Sequence, residues 1–229
     1  EFTKILERDL TDSHVSVINI GGRYFEHFLK LFDTSKSEFA IKKKVACITD
    51  LDPVKKKKGS KSWTVCLPFA LNSDDEYEYK DCSNKVVDEY SQRGDGDFIR
   101  AYSQEKLKGC TFEYDIILKN PNTKEIITDS VSNADEIKKL MDSLKEDKEL
   151  TSVFEIMRDG EFKKNIFCGM EKRNFNKKGK IVHIIAARYL NSVQKGVVAQ
   201  ELAYLISENH KNKCEGKEYF NFNIPPYIS

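Results

Sequence analysis

An apolar run, Val45 to Thr49 (VACIT), leads straight into Asp50-Leu51-Asp52-Pro53. If that run is a strand, the two carboxylates fall on the same side of the chain, because side chains two apart point the same way and lie about 6 to 7 Å apart. Like charges at that spacing repel unless a cation lies between them. Hard carboxylate oxygens of this kind suit Mg²⁺ or Mn²⁺, and open α/β sheets place their sites at the C-terminal edge of their strands. The same tripeptide also reads as a solvated acidic turn that caps the next segment.

Other residue types invite chemistry with less definition. Lys195 opens a segment in which Val198, Leu202, Leu205 and Ile206 make a helical apolar face. A cation at a helix N-terminus opposes the macrodipole by about 0.3 to 1 kcal/mol, so its placement asks for a reason, although a solvated lysine also satisfies the pattern. Lys55, Lys56, Lys57 and Lys58, with Lys61 and the single tryptophan Trp63, suit a phosphate backbone and a stacked base, or a solvated loop. Gly21-Gly22 predicts a tight strand-to-helix turn able to bring backbone N–H groups near a phosphate. The histidines His14, His27, His183 and His210 are scattered, and His27 lies beside an aromatic helix face where packing is the expected role.

Composition bounds what these residues serve. The 229 residues carry 38 basic against 37 acidic side chains, a net charge of +1, so neither a bulk polyanion binder nor an acidic tail protein is implied. Hydrophobic residues at 39% supply a core. No apolar run approaches the roughly 18 to 20 residues that cross a bilayer, and Glu1 to Leu10 lacks a signal-peptide stretch, so a cytoplasmic protein without membrane partners is expected. Cys47, Cys66, Cys82, Cys110, Cys168 and Cys214 show no CxxC or zinc spacing, which favours mostly buried, reduced thiols. With neither GxxxxGK[ST] nor GxGxxG present, ATP is not expected to bind this chain.

The elements that must position these groups alternate. Val15 to Ile20 (VSVINI) predicts a strand, Gly21-Gly22 a turn, and Arg23 to Phe32 a helix with Phe25, Phe28, Leu29 and Phe32 on one face. Val45 to Thr49 and Phe98 to Tyr102 predict two further strands, so the order favours an α/β fold with a mostly parallel, buried sheet. Val54 to Asp97 is too long for an ordinary connection and reads as an insertion or a partly mobile loop. After the Asn120-Pro121-Asn122 turn, helices are expected over 134–144, 150–157, 181–190 and 196–207, with 126–194 a helical subdomain. Glu1 to Leu10, with Phe2, Ile5, Leu6 and Leu10 at helical spacing and no cap, predicts the tail of a helix that begins upstream.

Taken together, Val17-Ile18-Asn19-Ile20-Gly21-Gly22, Ile48-Thr49-Asp50-Leu51-Asp52, Thr111-Phe112-Glu113-Tyr114-Asp115, Lys195-Gly196-Val197-Val198-Ala199-Gln200-Glu201-Leu202-Ala203 and Ile224-Pro225-Pro226-Tyr227-Ile228 resemble, in order and spacing, the C-terminal half of the OLD (overcoming lysogenization defect) family of nucleases. That half is a Toprim domain with a helical insertion, similar to the nuclease subunit of the Gabija antiphage system. The resemblance implies an incomplete Toprim domain over 1–125, the helical subdomain over 126–194, and a C-terminal helix and tail over 195–229 that return to the site. It implies a two-metal DNA endonuclease, probed through Mg²⁺ or Mn²⁺, with Asp50 and Asp52 matching the family's Asp-x-Asp and Glu113 a third ligand. Phe112, Tyr114 and Ile116 face away from Glu113 if that piece is extended; periodicity alone also fits a surface carboxylate. Lys195 matches the lysine before the glycine of KGxxAQxLA and would stabilise charge on the scissile phosphate. DNA, a homo-oligomer of the parent protein and a helicase or other defence-system partner are the implied associates.

One departure bears on activity. Toprim nucleases carry a Glu-Gly motif upstream of the VINIGG segment, this sequence has none, and Glu7 is no match, so weak metal binding and poor cutting are expected of these residues alone. Two other readings remain open. Asp50-Leu51-Asp52-Pro53-Val54 fits the DxDx[TV] pattern of haloacid-dehalogenase-type phosphatases, with Asp50 as nucleophile and Asp52 as acid/base, although Asp74-Asp75 comes too early for the late acidic pair that chemistry needs. A non-catalytic scaffold that binds DNA or protein is the third.

Overall fold

The computed structural model describes residues 2–5, 9–21, 25–80, 85–91, 93, 98–171 and 173–229. In chain order the elements are α1 (Phe2–Ile5), α2 (Glu26–Leu29), β1 (Val45–Ile48), β2 (Val54–Lys57), β3 (Thr64–Val65), β4 (Tyr77–Lys80), α3 (Lys85–Tyr90), β5 (Ile99–Tyr102), α4 (Phe112–Lys119), α5 (Ala134–Lys145), α6 (Leu150–Ile156), α7 (Gly160–Glu171), α8 (Lys177–Leu190) and α9 (Lys195–Cys214). They fall into an α/β unit, Ser16–Thr111 with Pro226–Ile228, and a helical unit, Glu1–Val15 with Phe112–Pro225 and Ser229. Among the described residues no helix is long and apolar enough to cross a membrane.

The α/β class is observed. β1 and β5 pair in parallel, Val45 opposite Ile99 and Ile48 opposite Tyr102, and Thr49 N–H to Tyr102 O at 3.0 Å carries the ladder one step past the strand. Alternation sends Cys47, Ile99 and Ala101 into a core with Phe25, which precedes α2, Leu29 from α2, and Val86 and Tyr90 from α3. The opposite face is only half covered, with Ile48 49% and Tyr102 44% exposed, so the sheet is packed by helices on one side rather than on both. The 54–97 stretch holds a second, antiparallel sheet in the order β3-β2-β4. Gly59, at φ +83°, supplies the left-handed backbone that turns β2 toward β3.

Two expected elements differ. Residues 15–20 join no sheet, and Val17 and Ile18 are 80% and 77% exposed. A β-branched run favours extended backbone, but a strand also needs a neighbouring strand for its N–H and C=O groups, and among the described residues none pairs with this segment. The Thr111 to Asp115 block is not extended either: Phe112–Lys119 is helix α4. Gly21 does turn the chain, at φ +72° with its N–H on Asn19 Oδ1 at 2.8 Å. Leu6, Glu7, Gly22, the start of the helix expected from Arg23, and Cys82 lie outside the described residues.

In the helical unit, α8 is the hub, packed against α4, α5 and α6. Asn176 starts it by accepting the Gly179 N–H at 2.7 Å, an N-cap that satisfies an otherwise orphaned donor. Ile137, Leu140, Met141 and Leu144 recur at i, i+3, i+4 and i+7 on α5 and all are buried; truncating one to alanine costs about 2 to 5 kcal/mol. The tail beyond α9 has no ladder, and side-chain amides substitute for one. Asn209 accepts from Phe220 N–H (2.8 Å) and donates to Phe220 O (2.9 Å), and Asn120 does the same with Asn223 at 2.7 and 2.9 Å. Cys47, Cys66 and Cys110 of the α/β unit are buried thiols, whereas Cys168 and Cys214 of the helical unit are exposed ones.

Candidate functional site

β1 stops at Ile48, so Asp50 and Asp52 ride the loop beyond it and the alternation argument for their shared side does not extend to them. Asp52 adopts φ +45°, a left-handed conformation that aspartate tolerates better than most residues, and its N–H donates to Cys110 O at 2.9 Å. Leu51 is buried beneath the loop, while Asp50 and Asp52 on either side of it are half-buried.

A residue that sequence reasoning passed over holds this loop. Gln104, buried just beyond β5, accepts the Leu51 N–H through Oε1 at 2.9 Å. That fixes which way the amide points, since the backbone donor needs the oxygen. Nε2 is thereby aimed at Asp50 Oδ1, to which it donates, and at the Tyr227 hydroxyl 3.0 Å away. Gln104 carried no signal of its own in the sequence, being a lone polar residue in a polar stretch, but Tyr227 lay inside the Ile224 to Ile228 block.

The other two expected site residues belong to the helical unit, where the structure brings them together. Glu113, in the first turn of α4, has a side chain only 12% exposed, and its Oε2 lies 3.6 Å from Lys195 Nζ with no hydrogen-bond partner. Lys195 is the first residue of α9 and is exposed. Buried Tyr189 registers the charge nearby: burial first, then the carboxylates of Glu113 and Glu201, hold its hydroxyl above the usual tyrosine range. Glu201 is itself held below the usual range by the Ser130 hydroxyl, which donates to it at 2.5 Å, and by Thr128.

The lysine run is no continuous basic track. It occupies β2 and the turn after it, where strand alternation splits its side chains between two faces and β4 supplies countercharges. Lys55 lies over the Tyr77 ring (4.7 Å), Lys56 pairs with Glu78 (2.9 Å), and Lys57 approaches Glu76 (3.8 Å). Lys58 is exposed. Trp63 has Lys56 and Lys80 over its ring at 5.0 and 4.3 Å. His183 is buried against Tyr114, its Nδ1 2.7 Å from the hydroxyl, and burial lowers its pKa to about 4. A histidine kept neutral in this way packs a core.

Among the described residues no group of three or more His, Cys, Asp or Glu side chains converges to hold a metal ion. Asp50 and Asp52 nevertheless suit the mode usual for Mg²⁺, which takes one or two carboxylates and fills its remaining positions with water and substrate phosphate oxygens. Residues 1–52 match the model of the family described as Overcoming lysogenization defect protein-like, TOPRIM domain. The matched stretch ends on Asp52 and so contains β1 and the whole Asp-x-Asp. Neither the curated proteins nor the solved structures gave a match to the chain.

Proposed function

We propose, from the match of residues 1–52 to the OLD-like Toprim domain, that the chain serves a metal-dependent DNA endonuclease of an ATPase-nuclease kind, in antiphage defence. Toprim domains generally belong to metal-dependent nucleases and primases. The single observation that carries the reading to this site is that the matched stretch delivers Asp50 and Asp52 to the end of β1, with Asp50 clamped by a buried amide.

Asp50 and Asp52 are the proposed holders of Mg²⁺ or Mn²⁺, which, when bound, supplies a water of lowered pKa and charge stabilisation at the phosphate. Gln104 keeps Asp50 Oδ1 in one orientation, so less freedom is lost when a ligand arrives. Lys195 and Glu113, 3.6 Å apart within the helical unit, are proposed on their own account as a phosphate-contacting ammonium and a carboxylate ligand with an unbonded Oε2. DNA as substrate, a homo-oligomer, a helicase or other defence partner, and a cytoplasmic setting accompany this reading.

The test is conversion of supercoiled plasmid in Mg²⁺ or Mn²⁺ by the protein, beside Asp50→Ala. Nicked or linear product that falls by about 10²-fold or more in the variant is expected, on the scale of losing one preorganised electrostatic group. Hydrolysis of a phosphomonoester with no strand scission overturns the reading in favour of a phosphatase built on the same two aspartates.

A further inference from the structure

Beside the carboxylate loop the α/β unit opens a cavity of about 640 Å³, within the range of small-ligand sites. Leu51 and Pro53, which flank Asp52, form one of its walls; Leu71 and Tyr79 also line it. Tyr79 is fixed in place, since its hydroxyl accepts the Asp74 N–H at 3.0 Å. Apolar and aromatic surface of this kind would take a flat ring. Lys80 and Lys106 also line the cavity, and the Lys80 ammonium lies 4.3 Å from the Trp63 ring.

The backbone around the cavity is unusual. Of the non-glycine residues with positive φ, Asn72 (+56°) and Leu107 (+67°) line it, and Asp52 (+45°) lies between two residues that do. Leucine has no side-chain hydrogen bond with which to offset a left-handed backbone, and Leu107 is also 44% exposed, so the fold holds an apolar side chain at the edge of water in a conformation it disfavours. Residues held this way gather at ligand sites.

We propose that this cavity is a nucleotide subsite: it takes one unstacked nucleotide of a DNA strand, its base against Leu51, Leu71, Tyr79 and Leu107 and its phosphates on Lys80 and Lys106. The inference rests on the nuclease reading and sharpens it, because a base seated between Leu51 and Leu107 sets the neighbouring phosphate beside Asp52. A base inside a duplex cannot reach such a cavity without leaving the stack, so the preferred substrate is single-stranded or locally unpaired DNA.

Binding separates this subsite from catalysis. The probe is a labelled twelve-nucleotide single strand, followed by fluorescence anisotropy in Mg²⁺ with the Asp50→Ala protein, alongside the same strand with abasic positions and the same sequence as duplex. Leu107→Asn keeps a residue that accepts positive φ while removing the apolar surface, so the fold is retained. It is expected to weaken the intact strand about tenfold, the weight of one lost base contact, and to leave the abasic strand nearly unchanged. Lys80→Ala with Lys106→Ala weakens both strands and lowers the salt slope by roughly 1.4, two single-strand phosphate contacts. Variants that bind every probe like their parent overturn the subsite, even if plasmid cleavage is intact. Binding that shows these dependences while the parent cuts no DNA upholds the subsite and removes the nuclease reading alone.

Discussion

Asp33 in the α/β unit and Glu113 in the helical unit are both withdrawn from water, with side chains 1% and 12% exposed, and the fold treats them in opposite ways. Asp33 receives both terminal nitrogens of Arg93 at 3.1 Å, the Tyr90 hydroxyl at 2.5 Å and the Ser35 hydroxyl at 2.6 Å. Burial alone would raise its pKa, but those donors together hold the carboxyl well below the usual range. Arg93 also lies over the Tyr90 ring at 4.0 Å and reaches Glu89 at 2.9 Å, which closes the cluster. Glu113 has an ammonium 3.6 Å from an oxygen that makes no hydrogen bond. A carboxylate saturated by donors has nothing left to offer a ligand and serves the fold, whereas one with an unmet oxygen keeps its chemistry available.

The largest break in that comparison comes from Arg93→Ala. It strands a buried carboxylate, and the unfolding free energy is expected to fall by about 3 to 5 kcal/mol in denaturant titration. A loss under about 1 kcal/mol would mean that Tyr90 and Ser35 alone keep Asp33 charged.

Acid sharpens the contrast between the units. His183 titrates near 6.5 when unfolded and near 4 when folded, so between those values the unfolded chain binds more protons and stability falls as pH is lowered. The helical unit should lose up to about 3 kcal/mol over that window, on the scale of 1.36 kcal/mol per pKa unit, and His183→Gln should flatten the slope. Asp33 acts later. Its folded pKa is depressed, so its contribution is complete above about pH 4, the unfolded value, and is lost only as pH drops further toward the folded value. Melting curves at pH 7, 5 and 3, read separately for each unit, check the order.

The smallest effect on stability is expected from Glu113→Gln. The ion pair with exposed Lys195 is worth about 0 to 1 kcal/mol, and the unbonded oxygen gives up nothing, so the melting temperature should barely move. Plasmid cleavage, under the proposed function, should drop steeply in the same variant. A large stability loss with cleavage intact would make Glu113 a second Asp33.

Parts of this molecule were legible because one physical force dominated them. β1 and β5 are apolar runs packed by helices, and the α5 stripe repeats at helical spacing over two turns, so burial and pattern agreed. Thr111 to Lys119 was not, since in so short an apolar run Tyr114, Ile116 and Ile117 fit both periods until packing against α8 chose the helix. α7 was passed over although Phe162, Ile166 and Met170 recur at four-residue steps. In the proposed site, Asp50 and Asp52 stand out by type and spacing, while Gln104 is identified only by the Leu51 N–H and the Asp50 oxygen it joins, a relation between positions more than fifty residues apart.

The placement of the thiols gives the molecule a built-in reporter. Cys47, whose thiol is pushed up to about 11 by burial, lies with Cys66 and Cys110 inside the α/β unit, while Cys168 and Cys214 face water on helices of the other. Among the described thiols, maleimide therefore marks Cys168 and Cys214 at once and Cys47, Cys66 and Cys110 only when the α/β core opens, since the attacking species is an accessible thiolate. Mass spectrometry of the slow labels, peptide by peptide, then times the opening of the core that carries β1.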